Sequence, residues 1–178
     1  MDVAVRFIKR LKATIIYILL IPVVNLILVH APVFDFTSEI HYTPASLLVG
    51  FVYIARDFTQ RELGHRLVFV PMLIAAAITY AVGVPAMAAA SLTAFVCGEL
   101  TEWAIFTFTR KPFSQRILFS CAVALPVDII IVLIGLHYAA PGLLPINIPN
   151  MLLMYASNMA SVVAAYLAVK HIEKKKAA

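Results

Sequence analysis

A charged segment separates the second and third apolar runs of this chain: Arg56-Asp57-Phe58-Thr59-Gln60-Arg61-Glu62-Leu63-Gly64-His65-Arg66. All 14 Lys and Arg residues fall in this segment or in three others like it, within residues 6–12, 110–116 and 170–176. The four basic segments occupy alternate gaps between apolar runs, and the gaps between them hold only acidic or neutral residues. Because basic residues accumulate in the cytoplasmic loops of membrane proteins, this pattern predicts an all-α polytopic membrane protein. It indicates six transmembrane helices with both termini in the cytoplasm.

The composition agrees with that interpretation. The chain has 178 residues, of which 63% are hydrophobic and 13% charged, whereas about a quarter of a soluble domain is charged. Six spans of about 20 residues each leave no room for a second domain. We therefore predict a single transmembrane domain over residues 1–178 in the inner (plasma) membrane, with spans near 13–29, 44–58, 67–82, 85–108, 117–138 and 148–169. The net charge of +5 does not indicate nucleic-acid binding, because the basic residues flank apolar runs.

The second span is apolar only as far as Ala55, which is short for a crossing unless its helix continues into the charged segment. In a helix, Asp57 and Arg61 are four residues apart, so they share a face and can form an ion pair. We predict that these two residues act as a gate or as a structural charge box. Gly64 is expected to end the helix.

Three acidic residues lie inside predicted spans: Glu99, Glu102 and Asp128. An ionisable group in lipid costs at least a few kcal/mol, so such residues face a cavity or a charged partner. Glu99 and Glu102 are three residues apart on the fourth span, and Asp128 lies about midway along the fifth. One hypothesis is a substrate or proton site. The other is a set of structural ion pairs with Arg61, Arg110 or Arg116.

Three further residues are candidates for substrate binding. Asn158 on the sixth span offers a donor and an acceptor, either to a heterocycle or to a neighbouring helix. Trp103 and Tyr155 either stack on a planar ligand or anchor helix ends at the membrane interface. Small residues recur every fourth position on the fourth and sixth spans and predict close packing, against each other or against a neighbouring span. These residues are Ala86, Ala90, Ala94, Gly98, Ala156, Ala160, Ala164 and Ala168.

Motifs for catalysis and cofactor binding are absent from the sequence. There is no P-loop, no GxSxG and no HExxH, so neither ATP hydrolysis nor peptidase chemistry is expected. Cys97 and Cys121 have no spacing typical of a metal or redox site. We therefore predict no enzyme activity, no catalytic residues, no metal and no cofactor.

Three stretches together resemble the queuosine precursor transporter family, the YhhQ or VUT type of vitamin uptake transporter-like membrane proteins. Residues 57–64 resemble its D-x-T-x-R-x-x-G segment after the second helix. Residues 90–102 resemble its fourth helix, in which an acid follows small residues, and residues 127–130 resemble its fifth-helix aspartate followed by apolar residues. The likeness extends from about Leu47 to Val169.

This resemblance implies import of a 7-deazaguanine such as 7-cyano-7-deazaguanine, without an ATPase partner. It also implies that Asp57, Arg61, Glu102 and Asp128 are the family's polar residues. Two positions depart from its pattern, since relatives often carry Asp where this chain has Glu102, and some carry Lys where it has Asn158. The expected partners are a planar heterocyclic substrate, the lipid bilayer and a second copy in a homodimer.

Two alternatives remain open from the sequence. One is the substrate-binding subunit of an energy-coupling-factor vitamin transporter, which also has about six helices and docks through small-residue ridges. The other is a membrane scaffold without a ligand, in which the polar residues only brace helices.

Overall fold

The computed structural model describes residues 11–37, 39–82 and 85–177. This part of the chain is mostly helical, as predicted, with six α-helices and one short antiparallel hairpin. The helices are α1 (Lys12–His30), α2 (Ala45–Leu63), α3 (Phe69–Val82), α4 (Pro85–Phe108), α5 (Phe113–Ala139) and α6 (Ile148–Ala177), and the hairpin strands between α1 and α2 are β1 (Phe34–Asp35) and β2 (His41–Tyr42).

Some predicted features fall outside the described residues. They are the basic residues before Leu11, the turn at Gly83 and Val84, and the side chains of Ala86 and Ala90 in the fourth-span ridge.

Helix α2 continues without a break through the charged segment, to Leu63. Gly64 ends it with φ of 86°, a conformation that glycine adopts without a Cβ penalty. The helix therefore has 19 residues and a length of about 28 Å, close to the thickness of a bilayer core. As a result, Arg56 and Asp57 lie inside the helix and not in a loop after it.

Three of the helices in the described residues are long and apolar enough to cross a membrane: Lys12–His30, Phe113–Ala139 and Ile148–Lys175. Helix α3 is apolar but shorter. Large apolar side chains are exposed along several helices, including Leu19, Leu73, Leu152 and Leu167. Such extensive apolar surface is unusual for a soluble protein and is compatible with a membrane protein.

The apolar core has three parts. One joins α1, α2 and α3 around Tyr17 and Met72. The second joins α2, α4, α5 and α6 around Phe106 and Leu125, and the third joins α5 and α6 around Leu133. Helix α2 contacts four other helices, α1, α4, α5 and α6, so it occupies the middle of the bundle.

The two predicted small-residue ridges have different positions. On α4, Ala94 and Gly98 are buried and face other helices. On α6, by contrast, Ala156, Ala160, Ala164 and Ala168 are all exposed, so the predicted packing of this ridge inside the chain is wrong. Helix α6 packs through its opposite side, which carries Asn158, Ser161 and Val162. The inward face of α6 therefore carries its buried polar residues and not its alanines.

Two glutamates hold helix ends together. Glu62, near the end of α2, accepts hydrogen bonds from the Ala13 and Thr14 amides at 3.0 Å and from Thr14 Oγ1 at 2.8 Å. Glu173, near the end of α6, accepts from the Ser114 amide at 3.2 Å and from Ser114 Oγ at 2.6 Å. Each carboxylate satisfies free N–H groups in the first turn of another helix, α1 or α5. The same arrangement thus fixes the α1–α2 pair and the α5–α6 pair at one end of the bundle.

Candidate functional site

Helix α2 presents a row of buried polar side chains along most of its length. From the hairpin end, these are Ser46, Tyr53, Arg56, Asp57, Thr59 and Gln60, each 2% exposed or less. Ser46 and Gln60 are about 21 Å apart along the helix axis at 1.5 Å per residue. Because the interior of a helix bundle is normally apolar, a buried polar row of this length makes α2 the first place to look for a functional site.

Arg56 is the centre of a buried charge cluster. Its Nε atom lies 3.0 Å from Glu99 Oε2 and 3.6 Å from Glu102 Oε2, and its Nη1 lies 3.3 Å from Asp57 Oδ1. Arg56 is 1% exposed, and the three acids are 2% exposed or less. One guanidinium therefore contacts three carboxyl groups in an environment nearly without solvent.

Neighbouring helices supply further hydrogen bonds to these acids. Tyr17 of α1 hydrogen-bonds the Glu99 side chain. On α5, Ser120 Oγ lies 3.5 Å and Cys121 Sγ 3.3 Å from Glu102 Oε1, and both can donate to it. The cluster thus involves α1, α2, α4 and α5.

The ion pairs expected with other arginines do not form in the described residues. Arg61 is exposed and lies over the Phe113 ring at 4.8 Å, away from Asp57. Arg116 donates two hydrogen bonds to the Phe106 carbonyl oxygen, at 2.6 and 2.9 Å, near the end of α4. Arg110 is exposed. The acids of α4 use Arg56 because α2 continues far enough to carry that side chain between the helices.

Asp128 lies in a different environment. It lines a cavity of about 80 Å³ between α1, α2, α4 and α5, together with Asn25, Tyr53, Ala94 and Val132. The Tyr53 hydroxyl group and the Asp128 side chain lie next to each other, beside Gly98. A cavity of this size holds several water molecules, given that one water needs about 10–15 Å³. The fifth-span aspartate therefore faces a partly open cavity and not a cation.

A second cavity, of about 50 Å³, extends from Asp128 towards the hairpin. Asn158, Ser46 and Thr43 line it together with apolar residues of α1, α5 and α6. Among the described residues, Asn158 Oδ1 and Ser46 Oγ are buried without any hydrogen-bond partner. Since buried polar atoms are rarely left unpaired, both atoms are free to bind a ligand or water in this space.

The two candidate stacking rings lie elsewhere. Trp103 donates from Nε1 to the His65 carbonyl oxygen at 2.9 Å and packs against Phe69, at the end of α4. Tyr155 donates to the Ala122 carbonyl oxygen at 3.3 Å and packs in the α5–α6 core. Neither ring lines either cavity. Both serve helix packing, because each polar atom is already bound to a backbone carbonyl.

At the other end of the row, a hydrogen-bond network links Gln60 to exposed His65. Gln60 Nε2 donates to Thr107 Oγ1 at 3.1 Å, and both side chains hydrogen-bond His65 Nδ1. His65 is exposed, whereas Gln60 is 2% exposed and lies one helical turn from Asp57. The polar row therefore extends from the hairpin side of the bundle to its opposite end.

One group of side chains has the spacing of metal ligands. Single ligand atoms of Asp57, Glu102 and Cys121 all lie within 4.8 Å of one another. Two features disfavour a metal ion here. Arg56 already places a positive charge against both carboxylates, and Cys121 acts as an S–H donor to Glu102 and not as a thiolate.

The structure therefore separates the predicted site residues into two groups. Asp128 and Asn158 line the cavities, whereas Glu99, Glu102 and Asp57 belong to the charge cluster. Sequence reasoning missed Arg56, which it assigned to the basic loop. A signal was present, because Arg56, Thr59 and Gln60 recur at helical spacing and continue the face of Tyr53.

The fold and the two cavities define the class of this protein as a helical bundle compatible with a membrane, with a buried polar row and two partly open cavities between its helices. No protein-family model, no curated protein and no solved structure matches the chain.

Proposed function

We propose that this protein is a secondary transporter with six transmembrane helices and cytoplasmic termini, and that it imports a queuosine precursor across the inner membrane. The substrate is 7-cyano-7-deazaguanine or a related purine-like base. The single observation that carries the proposal is that Asp128 lines two adjacent cavities, the second of which Asn158 also lines.

The chemistry of these cavities fits a planar, polar base. The Asp128 carboxylate accepts two hydrogen bonds side by side, which suits the adjacent N–H groups of a guanine-like edge. Asn158 Oδ1 and Ser46 Oγ supply unpaired polar atoms on the opposite helices. The remaining wall is apolar, with Val24, Val49 and Val132, and suits the faces of a ring.

The resemblance to the YhhQ type supports the choice of substrate. Its fifth-helix aspartate aligns with Asp128, the acid that lines both cavities. The lysine that some relatives carry aligns with Asn158, which lines the second cavity. The two positions are thus neighbours in space, although they are 30 residues apart in sequence.

The test is uptake of labelled queuosine precursors by cells that lack both their own importer and precursor synthesis. We expect the wild-type chain to restore uptake, and Asp128→Asn to reduce it by at least tenfold because the amide offers one acceptor in place of two. Asp35→Asn is the matched control, since Asp35 lies in the hairpin and its side chain is 67% exposed. Equal uptake by Asp128→Asn and Asp35→Asn would contradict the proposal.

A second candidate is the substrate-binding subunit of an energy-coupling-factor transporter. The observation in its favour is the exposed alanine ridge Ala156, Ala160, Ala164 and Ala168, which offers a smooth helix surface to another protein. Co-purification of the chain with a partner subunit and ATPases would support this candidate. Uptake by the purified chain alone in liposomes would exclude it.

A ligand-free scaffold is the third alternative, and ligand binding separates it from the other two. A transporter or a binding subunit is stabilised against heat by 7-deazaguanines and not by adenine, because a ligand that binds only the folded state raises the melting temperature. A scaffold shows no such difference.

A further inference from the structure

The charge cluster has too many acids for its cations. Three carboxyl groups, of Asp57, Glu99 and Glu102, face the Arg56 guanidinium, and Arg116 lies close enough to interact electrostatically with Asp57. Even when both arginines are counted, the three ionised acids leave one negative charge uncompensated. A buried charge without a partner is costly, so one further positive charge belongs in this cluster.

The ion-pair distances locate the missing charge. Arg56 Nε lies 3.0 Å from Glu99 Oε2 but 3.6 Å from Glu102 Oε2, and Arg56 Nη1 lies 3.3 Å from Asp57 Oδ1. Glu99 therefore has the closest cation, and Asp57 and Glu102 are the two acids that Arg56 compensates less.

One carboxyl oxygen of Asp57 and one of Glu102 lie within 4.8 Å of each other. Two ionised carboxylates at this separation repel each other, so a shared proton stabilises the pair.

We propose that Asp57 and Glu102 form a proton-binding pair that carries one proton during transport. This inference rests on the proposed function, because it assigns the driving ion of that transporter. When the proton leaves, one O–H bond breaks, the proton passes to water, and both carboxylates remain facing Arg56. The pair then accepts a new proton before the next cycle.

Other titratable and charged groups face the pair from several helices, and each must be considered in its pH dependence. They are Tyr17 of α1, Arg56 and Tyr53 of α2, Glu99 of α4, and Arg116 and Cys121 of α5.

Two connections link the pair to its surroundings. Gln60, one turn further along α2, hydrogen-bonds exposed His65 at that end of the bundle. In the other direction, Gly98, next to Glu99, packs against both Tyr53 and Asp128. The cluster and the Asp128 cavity therefore share a packing contact through Gly98.

Infrared spectroscopy of the purified protein tests the bound proton without any substrate. A protonated carboxyl group gives a C=O band that shifts in heavy water, and a carboxylate does not. We expect this band to be lost in both Asp57→Asn and Glu102→Gln, because the remaining acid then ionises against Arg56. Glu39→Gln is the control, because Glu39 is exposed and lies outside the cluster, and it should retain the band.

Proteoliposomes test whether this proton drives transport. We expect Glu102→Gln to keep substrate exchange between the two sides but to lose accumulation driven by a pH gradient, because its side chain cannot release a proton. Asp128→Asn, in contrast, should lose both activities. If the wild-type chain performs neither activity, the proposed function fails, and the infrared spectra still decide whether the pair binds a proton.

Three results would overturn the inference. The first is a carboxyl band that is unchanged in both Asp57→Asn and Glu102→Gln. The second is gradient-driven accumulation by Glu102→Gln at the wild-type level. The third is a rise in melting temperature with Na⁺, Mg²⁺ or Zn²⁺ that Glu102→Gln abolishes, since a metal ion would then occupy the place of the proton.

Discussion

Arg56 Nε lies 3.0 Å from Glu99 Oε2, and both side chains are 1% exposed. This ion pair joins α2 to α4 at the centre of the bundle, where neither group has access to bulk water. Because of this ion pair, the face of α2 that carries Arg56 and Asp57 can be buried. It also means that the stability of the fold and the charge balance of the cluster depend on the same arginine.

Replacing that arginine should be strongly destabilising. Arg56→Met keeps the length of the side chain but leaves buried carboxylates without their cation, a change that typically costs about 3–5 kcal/mol. The measurement is the free energy of unfolding in detergent micelles. Arg61→Met is the matched control, because Arg61 is exposed and surface charges contribute about 0–1 kcal/mol. Equal losses in the two variants would show that Arg56 is not buried against these acids.

Gly98→Ala should destabilise the protein through a steric clash that a second substitution relieves. A Cβ at this position would lie 2.1 Å from the Tyr53 hydroxyl oxygen and 3.2 Å from Asp128 Cβ. Gly98→Ala should therefore disturb the Asp128 cavity and reduce substrate binding. Adding Tyr53→Phe removes the closer atom and should restore part of the stability, which thermal unfolding of the single and double variants measures. No recovery in the double variant would argue against this contact.

Gly50 provides the contrasting case. A Cβ there would lie 2.0 Å from Ser161 Oγ and 2.4 Å from the Asn158 carbonyl oxygen. Because the second atom belongs to the backbone, Ser161→Ala should not rescue Gly50→Ala. Thermal unfolding of both variants tests this, and a full rescue would mean that α2 and α6 are further apart than described.

Glu62 accepts hydrogen bonds from the first turn of α1 and should therefore contribute to stability, although its side chain is exposed. Glu62→Ala removes the acceptor for two backbone amides and the Thr14 hydroxyl, and loss of such a cap costs about 0.5–2 kcal/mol. Glu39→Ala, in the outer hairpin loop, should change the free energy of unfolding much less. If the two variants are equally stable, the contact between Glu62 and α1 does not persist in solution.

The proposed membrane topology predicts which side of the membrane each helix end faces. The test uses a chain in which both native cysteines are replaced, Cys97→Ser and Cys121→Ser, so that only introduced cysteines react. The second change retains a hydroxyl donor near Glu102. Tyr138→Cys, at the end of α5, should then react in intact cells with a maleimide that cannot cross membranes, because it faces outward. Lys174→Cys, in the basic end of α6, should react only after the cells are opened. Labelling of both positions in intact cells would contradict six crossings.

Much of this architecture follows from hydrophobicity and charge, and some of it does not. The apolar runs predict the number of helices, and Gly64 predicts the end of α2, because these features depend on local sequence. Whether Arg56 is exposed or buried depends on packing between helices. A basic residue at the end of an apolar run normally marks a membrane edge, and only the acids of α4, more than 40 residues away in sequence, keep it inside.

The residues that line the cavities show the same dependence on packing. Asp128 was a candidate because an acid in an apolar run is unusual wherever the fold places it. Ser46 and Tyr53 have no such signal, since both residue types are common in transmembrane helices. For Trp103 and Tyr155 the sequence leaves both ligand stacking and interfacial anchoring open, because the direction of each ring depends on helix rotation, which a sequence without clear amphipathic periodicity does not define.

The most direct measurement is exchange of labelled 7-cyano-7-deazaguanine across liposomes that contain only the purified chain. The account predicts rapid exchange by the wild-type protein and by Asp35→Asn, and exchange at the level of empty liposomes by Asp128→Asn. No exchange by the wild-type chain with any 7-deazaguanine, or equal exchange by Asp128→Asn, would contradict a transporter whose substrate binds at this aspartate.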